Sequence, residues 1–336
     1  MKVAVFGTKS YDKEFFKLEG VNTTHELVFF ESRLRVKTAS LAKGFDAVCV
    51  FVNDVVDAEC IQMLASYGIK VIALRCAGFN NVDLIEAEKQ GIAVLRVPAY
   101  SPYAVAEHTL ALILTLNRKT HKAYNRVREG NFSLDRLTGF DINGKTVGVI
   151  GTGKIGQIFA NIMKGMGCKV IGFDLYPNKK LEEDGLLEYM SLNDLLEQSD
   201  IISLHCPLTP QTHHIINDHS IWRMKKGAML INTSRGRLID TESAIRALSK
   251  GHLGYLGIDV YEQEEKLFFR DLSETLIRDE KMLNLMSFPN VLVTGHQAFF
   301  TDTALTQIAK VTLGNLTSYE KGEELINRVG TEAIKA

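Results

Sequence analysis

Short apolar runs alternate with longer amphipathic stretches from one end of the chain to the other. Lys2–Phe6, Glu26–Phe30, Ala47–Val52, Lys70–Leu74 and Ile92–Val97 are largely apolar or β-branched. Runs of that length with little polar alternation predict strands buried on both faces of a parallel sheet. Between them the spacing predicts helices over Val55–Tyr67 and Asn81–Gln90, the second closed by Gly91 just past its end. Roughly five βα units within about the first hundred residues describe a small doubly wound domain.

A second series begins after a long helical stretch from Pro102 to Arg128, whose centre, Ala-Leu-Ile-Leu-Thr-Leu, is apolar nearly all round. A helix of that character is buried, inside the protein or against a partner chain. Then come the predicted strands Thr146–Ile150, Lys169–Phe173, Ile201–Leu204, Ala228–Asn232, Gly254–Asp259 and Val291–Thr294, most of them followed by a helix. Asp240 is positioned to cap a helix over Glu242–Lys250, and Gly251 closes it. The expected fold is α/β, with two doubly wound parallel-sheet domains, and the pattern by itself divides the chain once.

Composition agrees. The 336 residues exceed what one ordinary core fills, at roughly 150 residues per domain. Apolar residues at 46%, with 26 Gly against 6 Pro, describe a globular chain rather than a disordered or collagen-like one. Thirty-nine basic and forty acidic residues leave a net charge of −1 with no Lys/Arg block, so neither nucleic acid nor an anionic membrane is an expected partner. The apolar run before Gly7 is too short for a signal-peptide core, and no later stretch reaches membrane-spanning length. Cys49, Cys60, Cys76, Cys168 and Cys206 are odd in number, widely spaced and never in a C-x-x-C pair. They suggest neither a disulfide framework nor a metal site, and a reducing cytoplasm is the expected location.

Chemistry enters at Thr146–Ile150, which runs directly into Gly151-Thr-Gly153-Lys154-Ile155-Gly156 and a helix ending near Gly165–Gly167. In a strand-turn-helix setting Gly151 permits the tight turn, Gly153 lets a pyrophosphate approach the backbone, and Gly156 lets the helix pack on the strand. The helix start at Lys154 and Ile155 supplies amide donors for the phosphate charge. A lone G-x-G-x-x-G is weak evidence, but here the next strand ends in Asp174, eighteen residues after Gly156. An acid there hydrogen-bonds the adenosine ribose and repels a 2′-phosphate, which favours NAD. Lys179 and Lys180 lie nearby, but position 175, where an Arg for a 2′-phosphate can follow, is Leu.

Ligands of open α/β sheets lie beyond the carboxyl ends of the strands. Three such ends carry reactive chemistry. Asn232 leads into Thr233-Ser234-Arg235-Gly236, and an Arg there clamps a carboxylate with two donors, unless it is simply a solvated turn residue. Asp259 leads into Val260-Tyr261-Glu262-Gln263-Glu264-Glu265, and Thr294 into Gly295-His296. A His at a strand end can exchange the proton that accompanies hydride transfer, its unperturbed pKa being roughly 6.5. A carboxylate would orient it, and spacing alone leaves Glu262, Glu264 and Glu265 all open.

At these residues the chain resembles the D-isomer-specific 2-hydroxyacid dehydrogenases, in particular the fermentative D-lactate dehydrogenases. The matching segments are Arg75 to Asp83, Val97 to Pro102 with Ala106-Glu-His108, Gly144 to Gly156, Ser203 to Thr209, Ile231 to Gly236 and Thr294 to Phe299. The stretch Gly257 to Phe269 resembles the lactate-type branch. The resemblance implies NADH-dependent reduction of pyruvate to D-lactate. His296 would protonate the carbonyl oxygen during hydride transfer, Glu264 would hold the imidazolium, and Arg235 would clamp the carboxylate and polarise the carbonyl. Backbone amides at Ala77 and Gly78, together with Tyr100, would hold the other side of a small 2-keto or 2-hydroxy acid, with Phe299 and Phe51 as pocket walls. Gly151, Gly153, Lys154, Ile155, Gly156, Asp174, His205, Pro207, Thr233 and Asp259 would line the NAD cleft; His205 and Asp259 have packing and turn roles as their alternatives.

The resemblance further implies a discontinuous substrate domain from residues 1–100 and 299–336, an NAD-binding domain from 101–298, hinges near Tyr100–Ser101 and Ala298–Phe299, and a helical arm after Pro102 that makes a homodimer. Asn53-Asp54 departs from the pattern expected beside the pocket. Two other functions share these motifs: a dehydrogenase for a bulkier acid such as phenylpyruvate, and a non-enzymatic NAD(H)-sensing protein like the C-terminal-binding corepressors. Substrate preference separates the first and absence of turnover the second.

Overall fold

The computed structural model describes residues 1–21 and 23–332. The backbone forms two compact units, residues 1–101 with 300–336 and residues 102–299.

The first unit is built on β1 (Lys2–Val5), β2 (Glu26–Phe29), β3 (Ala47–Val50), β4 (Val71–Leu74) and β5 (Ala93–Leu95), all parallel in the order β2-β1-β3-β4-β5. Every residue of β3 and β4 is fully buried, as uninterrupted apolar runs require. Each large aliphatic so buried contributes about 1.5–3 kcal/mol. The order reverses beside β1, which places a crevice at its carboxyl end.

The C-terminal segment completes this unit. Thr301 caps the helix Asp302–Lys321 by accepting from the Ala304 amide at 3.2 Å, and Gly322, at φ +67°, ends it. The helix packs on Ser10–Gly20, Asn315 Nδ2 donates to the Arg96 carbonyl at 2.9 Å, and the Val329 amide donates to Val94 at 2.8 Å. Hydrophobic patterning gave no sign of this return, because its partners lie more than two hundred positions away.

The second unit carries β6 (Thr146–Ile150), β7 (Lys169–Phe173), β8 (Glu188–Tyr189), β9 (Ile201–Leu204), β10 (Met229–Asn232), β11 (Tyr255–Ile258) and β12 (Val291–Val293). They form one parallel sheet ordered β12-β11-β10-β9-β6-β7-β8, with a hydrophobic core on each face. Here the order reverses beside β6. The predicted single helix 102–128 is two helices, Pro102–Arg118 and Thr120–Arg128, broken at Lys119, whose φ is +49°. Beside the break the Asn117 side chain donates to the Phe140 carbonyl at 2.7 Å and accepts from the Phe140 amide at 2.8 Å, tying the following loop to the helix end. The first helix buries Leu112, Ile113 and Leu116, whereas the second buries none of its side chains.

Candidate active site

The glycine turn is set where the sheet order reverses. Gly151 has φ +93°, and a Cβ there would stand 2.5 Å from the Cys206 amide nitrogen at the end of β9. A Cβ on Gly156 would stand 2.0 Å from the Gly151 carbonyl oxygen, so the helix Lys154–Gly165 touches the strand only because the residue is glycine. Gly153 faces open space, with nothing within 4 Å of its Cβ position. The amides of Lys154 and Ile155 begin the helix beside that opening, a donor set suited to a diphosphate. Asp174 lies after β7, where its carboxylate accepts from the Thr152 amide at 2.7 Å and the Tyr176 amide at 2.9 Å. That pins the acid to the glycine turn. These features suit a dinucleotide.

His205 continues β9, with Nε2 2.9 Å from Ser203 Oγ and its ring 4.9 Å from that of Phe159. Burial pushes its pKa down to about 3, so the ring is neutral. The packing alternative thus accounts for most of its surroundings. Pro207 is exposed, and Thr233 is buried with its hydroxyl 2.9 Å from that of Thr109.

Asp259 shows the turn role weighed as its alternative. It is fully buried, with Oδ1 accepting from Thr294 Oγ1 at 2.5 Å and the Gln297 amide at 2.9 Å, and Oδ2 from the Ala298 amide at 2.8 Å. His108 Nε2 lies 3.4 Å from Oδ1. Burial alone would raise this carboxyl, but the hydrogen bonds together hold it below the usual Asp range. Its work is to hold the 294–298 turn. Nothing in the sequence marked His108 and Thr294 as its partners, since the three come from separate elements.

That turn presents His296. Its amide donates to the Asp259 carbonyl at 2.7 Å, and its φ is +54°, a left-handed conformation unusual for a residue with a side chain. Nδ1 lies 2.8 Å from Glu264 Oε1, both side chains 21% exposed, so the open choice among three acids resolves to Glu264. Glu264 Oε2 in turn accepts from the Tyr261 amide at 3.0 Å. Glu262 turns instead to His214, and Glu265 is exposed. Buried Phe299 and half-buried Phe269 stand beside the His296 ring, at 6.5 Å and 5.8 Å between centroids.

Arg235 follows β10 and is half-buried. Asn232 Nδ2 donates to its carbonyl at 2.8 Å, and its Nη1 donates to the Ser234 carbonyl at 2.8 Å. Gly236 makes room for backbone rather than for the guanidinium, since a Cβ there would lie 2.1 Å from the Tyr261 carbonyl carbon. The second unit therefore gathers Arg235, Glu264, His296 and the glycine turn at the carboxyl ends of one sheet.

Ala77, Gly78 and Tyr100 belong to the first unit. The loop after β4 is braced by Arg96, which donates to the Ala77 carbonyl at 3.0 Å, and by buried Arg75, which donates to Asp12 at 3.2 Å and the Gly7 carbonyl at 3.1 Å. The Arg75 guanidinium lies 5.0 Å from the centre of the Phe51 ring. Asp54, the departure noted beside the pocket, is a buried brace: it accepts from the Leu34 and Phe51 amides, each at 2.6 Å.

Among the described residues no cluster of His, Cys, Asp and Glu could hold a metal, and no helix is long and apolar enough to cross a membrane. A glycine turn at the reversal of a parallel sheet, an acid after the next strand and a His–Glu pair at a strand end define a dinucleotide-dependent α/β oxidoreductase. Residues 110–298 match the family described as D-isomer specific 2-hydroxyacid dehydrogenase, NAD binding domain. The D-lactate dehydrogenase of Escherichia coli is 51% identical over 98% of this chain and 100% of its own, and 2-hydroxyacid dehydrogenase A of Aspergillus oryzae is 53% identical over 95% and 92%. The pyruvate reductase of Chlamydomonas reinhardtii superposes with a TM-score of 0.91 at 47% identity, covering 97% of this chain and 98% of that one. The chain belongs to the D-isomer specific 2-hydroxyacid dehydrogenases, with NAD as its cofactor.

Proposed function

We propose that the enzyme reduces pyruvate to D-lactate with NADH, and the reverse. The observation that carries this reading is the 2.8 Å His296–Glu264 pair on the same sheet as the glycine turn. NADH supplies the hydride. Nε2 of His296 gives the carbonyl oxygen its proton, while Glu264, on Nδ1, orients the ring and stabilises its charged form. Arg235 receives the substrate carboxylate with two donors and draws charge from the carbonyl. We assign substrate contacts also to the Ala77 and Gly78 amides, Tyr100 and Phe299, and cofactor contacts to Gly151, Gly153, Lys154, Ile155, Gly156, Asp174, His205, Pro207, Thr233 and Asp259, on the strength of the sequence resemblance.

The preference for a methyl side chain and for the D product rests on similarity to D-lactate dehydrogenases and a pyruvate reductase. Loss of NADH absorbance with a panel of 2-keto acids, followed by chiral analysis of the product, tests both. Highest kcat/KM on pyruvate with D-lactate as product is expected. L-lactate, or a clear preference for phenylpyruvate or a branched acid, would overturn the substrate reading. Five free, buried cysteines support a reducing compartment, and the arm after Pro102 supports a homodimer.

A further inference from the structure

A second His–Glu pair sits beside the first. His214 Nε2 lies 2.8 Å from Glu262 Oε1, and Glu262 Oε2 accepts from Thr241 Oγ1 at 2.9 Å. One carboxylate thereby joins the loop after β9 to the first turn of the helix Thr241–Ser249. Exposed ion pairs of this kind contribute little to stability. This one is half-buried, at 31% and 19% exposure, and its surroundings differ from those of a surface pair.

Each end of the pair leads to a site residue. The Tyr261–Glu262 backbone lies against Gly236, next to Arg235, so closely that no side chain fits between. The His214 amide donates to the Arg237 carbonyl at 2.9 Å, holding the same turn from its other side. On the Glu264 side, the Tyr261 amide fixes the oxygen of Glu264 that His296 does not use, and Tyr261 Oη donates to Asp279 at 2.9 Å. Glu262 thus ties the 261–264 segment to both the β9 loop and the Thr241 helix. His214 also holds a left-handed backbone, φ +51°, as His296 and Phe269 do at +54° and +62°. Such conformations persist where their surroundings over-determine them, and they gather at functional sites. Burial alone would raise the Glu262 carboxyl, but the His214 and Thr241 bonds hold it below its ordinary range, so it stays charged.

We propose that His214 and Glu262 are positioning residues for the reduction: their bond fixes the 261–264 segment, and through it both the Glu264–His296 contact and the Arg235 turn. The inference rests on the catalytic reading above. Four variants of the full-length enzyme test it: Glu262→Ala, His214→Ala, Glu262→Gln and His214→Gln. Because sub-ångström misplacement of a catalytic pair is costly, each Ala variant should lose about tenfold in kcat with pyruvate while NADH Kd stays within about twofold. Each Gln variant keeps a hydrogen bond across the gap and should recover most of the loss. Ala variants with unchanged kcat, Gln variants as impaired as Ala, or losses in kcat that merely follow lost NADH affinity or lost melting temperature would each overturn the proposal. An unaltered enzyme that turns over no 2-keto acid would instead bring down the catalytic reading, and this pair's role with it.

Discussion

His296 illustrates how one residue's chemistry is decided by its neighbours. Asp259 bonds the amides of Gln297 and Ala298 and the Thr294 hydroxyl, so the left-handed backbone that aims the imidazole is held by a buried carboxylate. Replacing His296 by Gln should lower kcat by a factor of about a hundred or more while leaving NADH Kd nearly unchanged, since a proton donor is lost and the glycine turn is not. Stopped-flow turnover and fluorescence titration of NADH check the two arms; parallel losses in both would refute the role. His205 offers a test of a different kind. Its folded pKa, near 3, lies below its unfolded value of roughly 6.5, so below that value the unfolded chain binds a proton that the folded one refuses. The resulting stability is fully present above pH ~6.5 and is lost progressively as pH falls toward 3. Urea unfolding at pH 7 and 4.5 should show His205→Gln narrowing the gap between the two conditions; an equal gap would show that His205 is not the group responsible.

Among elements, those readable in advance were the ones whose burial leaves a periodic mark. β3 and β4 are buried on both faces and read as unbroken apolar runs, whereas β8 has only Glu188 and Tyr189, neither fully buried, and left no pattern to find. The break at Lys119 was hidden because helix-forming residues continue through it, and the Asn117–Phe140 bonds beside it are a tertiary contact. Arg235 and His296 were legible as strand-end residues. The choice of Glu264 over Glu262 was not, since it depends on which carboxylate the turn after β11 aims at which histidine. The glycine turn was legible and carries its own prediction. Gly156→Ala drives a Cβ into the Gly151 carbonyl and should lower Tm and weaken NADH binding together. Gly165→Ala, at the other end of the same helix and with open space around it, should cost nothing or stabilise by about 0.5–1 kcal/mol. If Gly156→Ala binds NADH normally, the contact between helix and strand is not what shapes the cradle.

For the molecule as a whole, a net charge of −1 fits the proposal that one placed Arg235 receives a small anionic substrate, with no basic surface needed. The larger surface question is the arm. The helix Thr120–Arg128 buries no side chain, and Tyr124, Val127, Phe132 and Leu134 are 50–80% exposed over one short stretch. Their backbone is nonetheless ordered from within: Arg126 donates to the Asp135 carbonyl at 2.8 Å, the Asn131 amide to the Arg126 carbonyl at 2.9 Å, and Lys119 to the Thr138 carbonyl. Exposed apolar side chains on an ordered loop are where the proposed homodimer predicts a covered surface. A second copy of the chain is the partner the proposed homodimer predicts, since two-fold pairs are the commonest closed assemblies. Sedimentation at micromolar concentration should give at least twice the 37.5 kDa of one chain. Phe132→Asp combined with Leu134→Asp should return it to a single chain that still binds NADH, because the glycine turn lies on a different element. A single chain before the substitutions, or an unchanged assembly after them, would assign the exposed arm to something other than pairing.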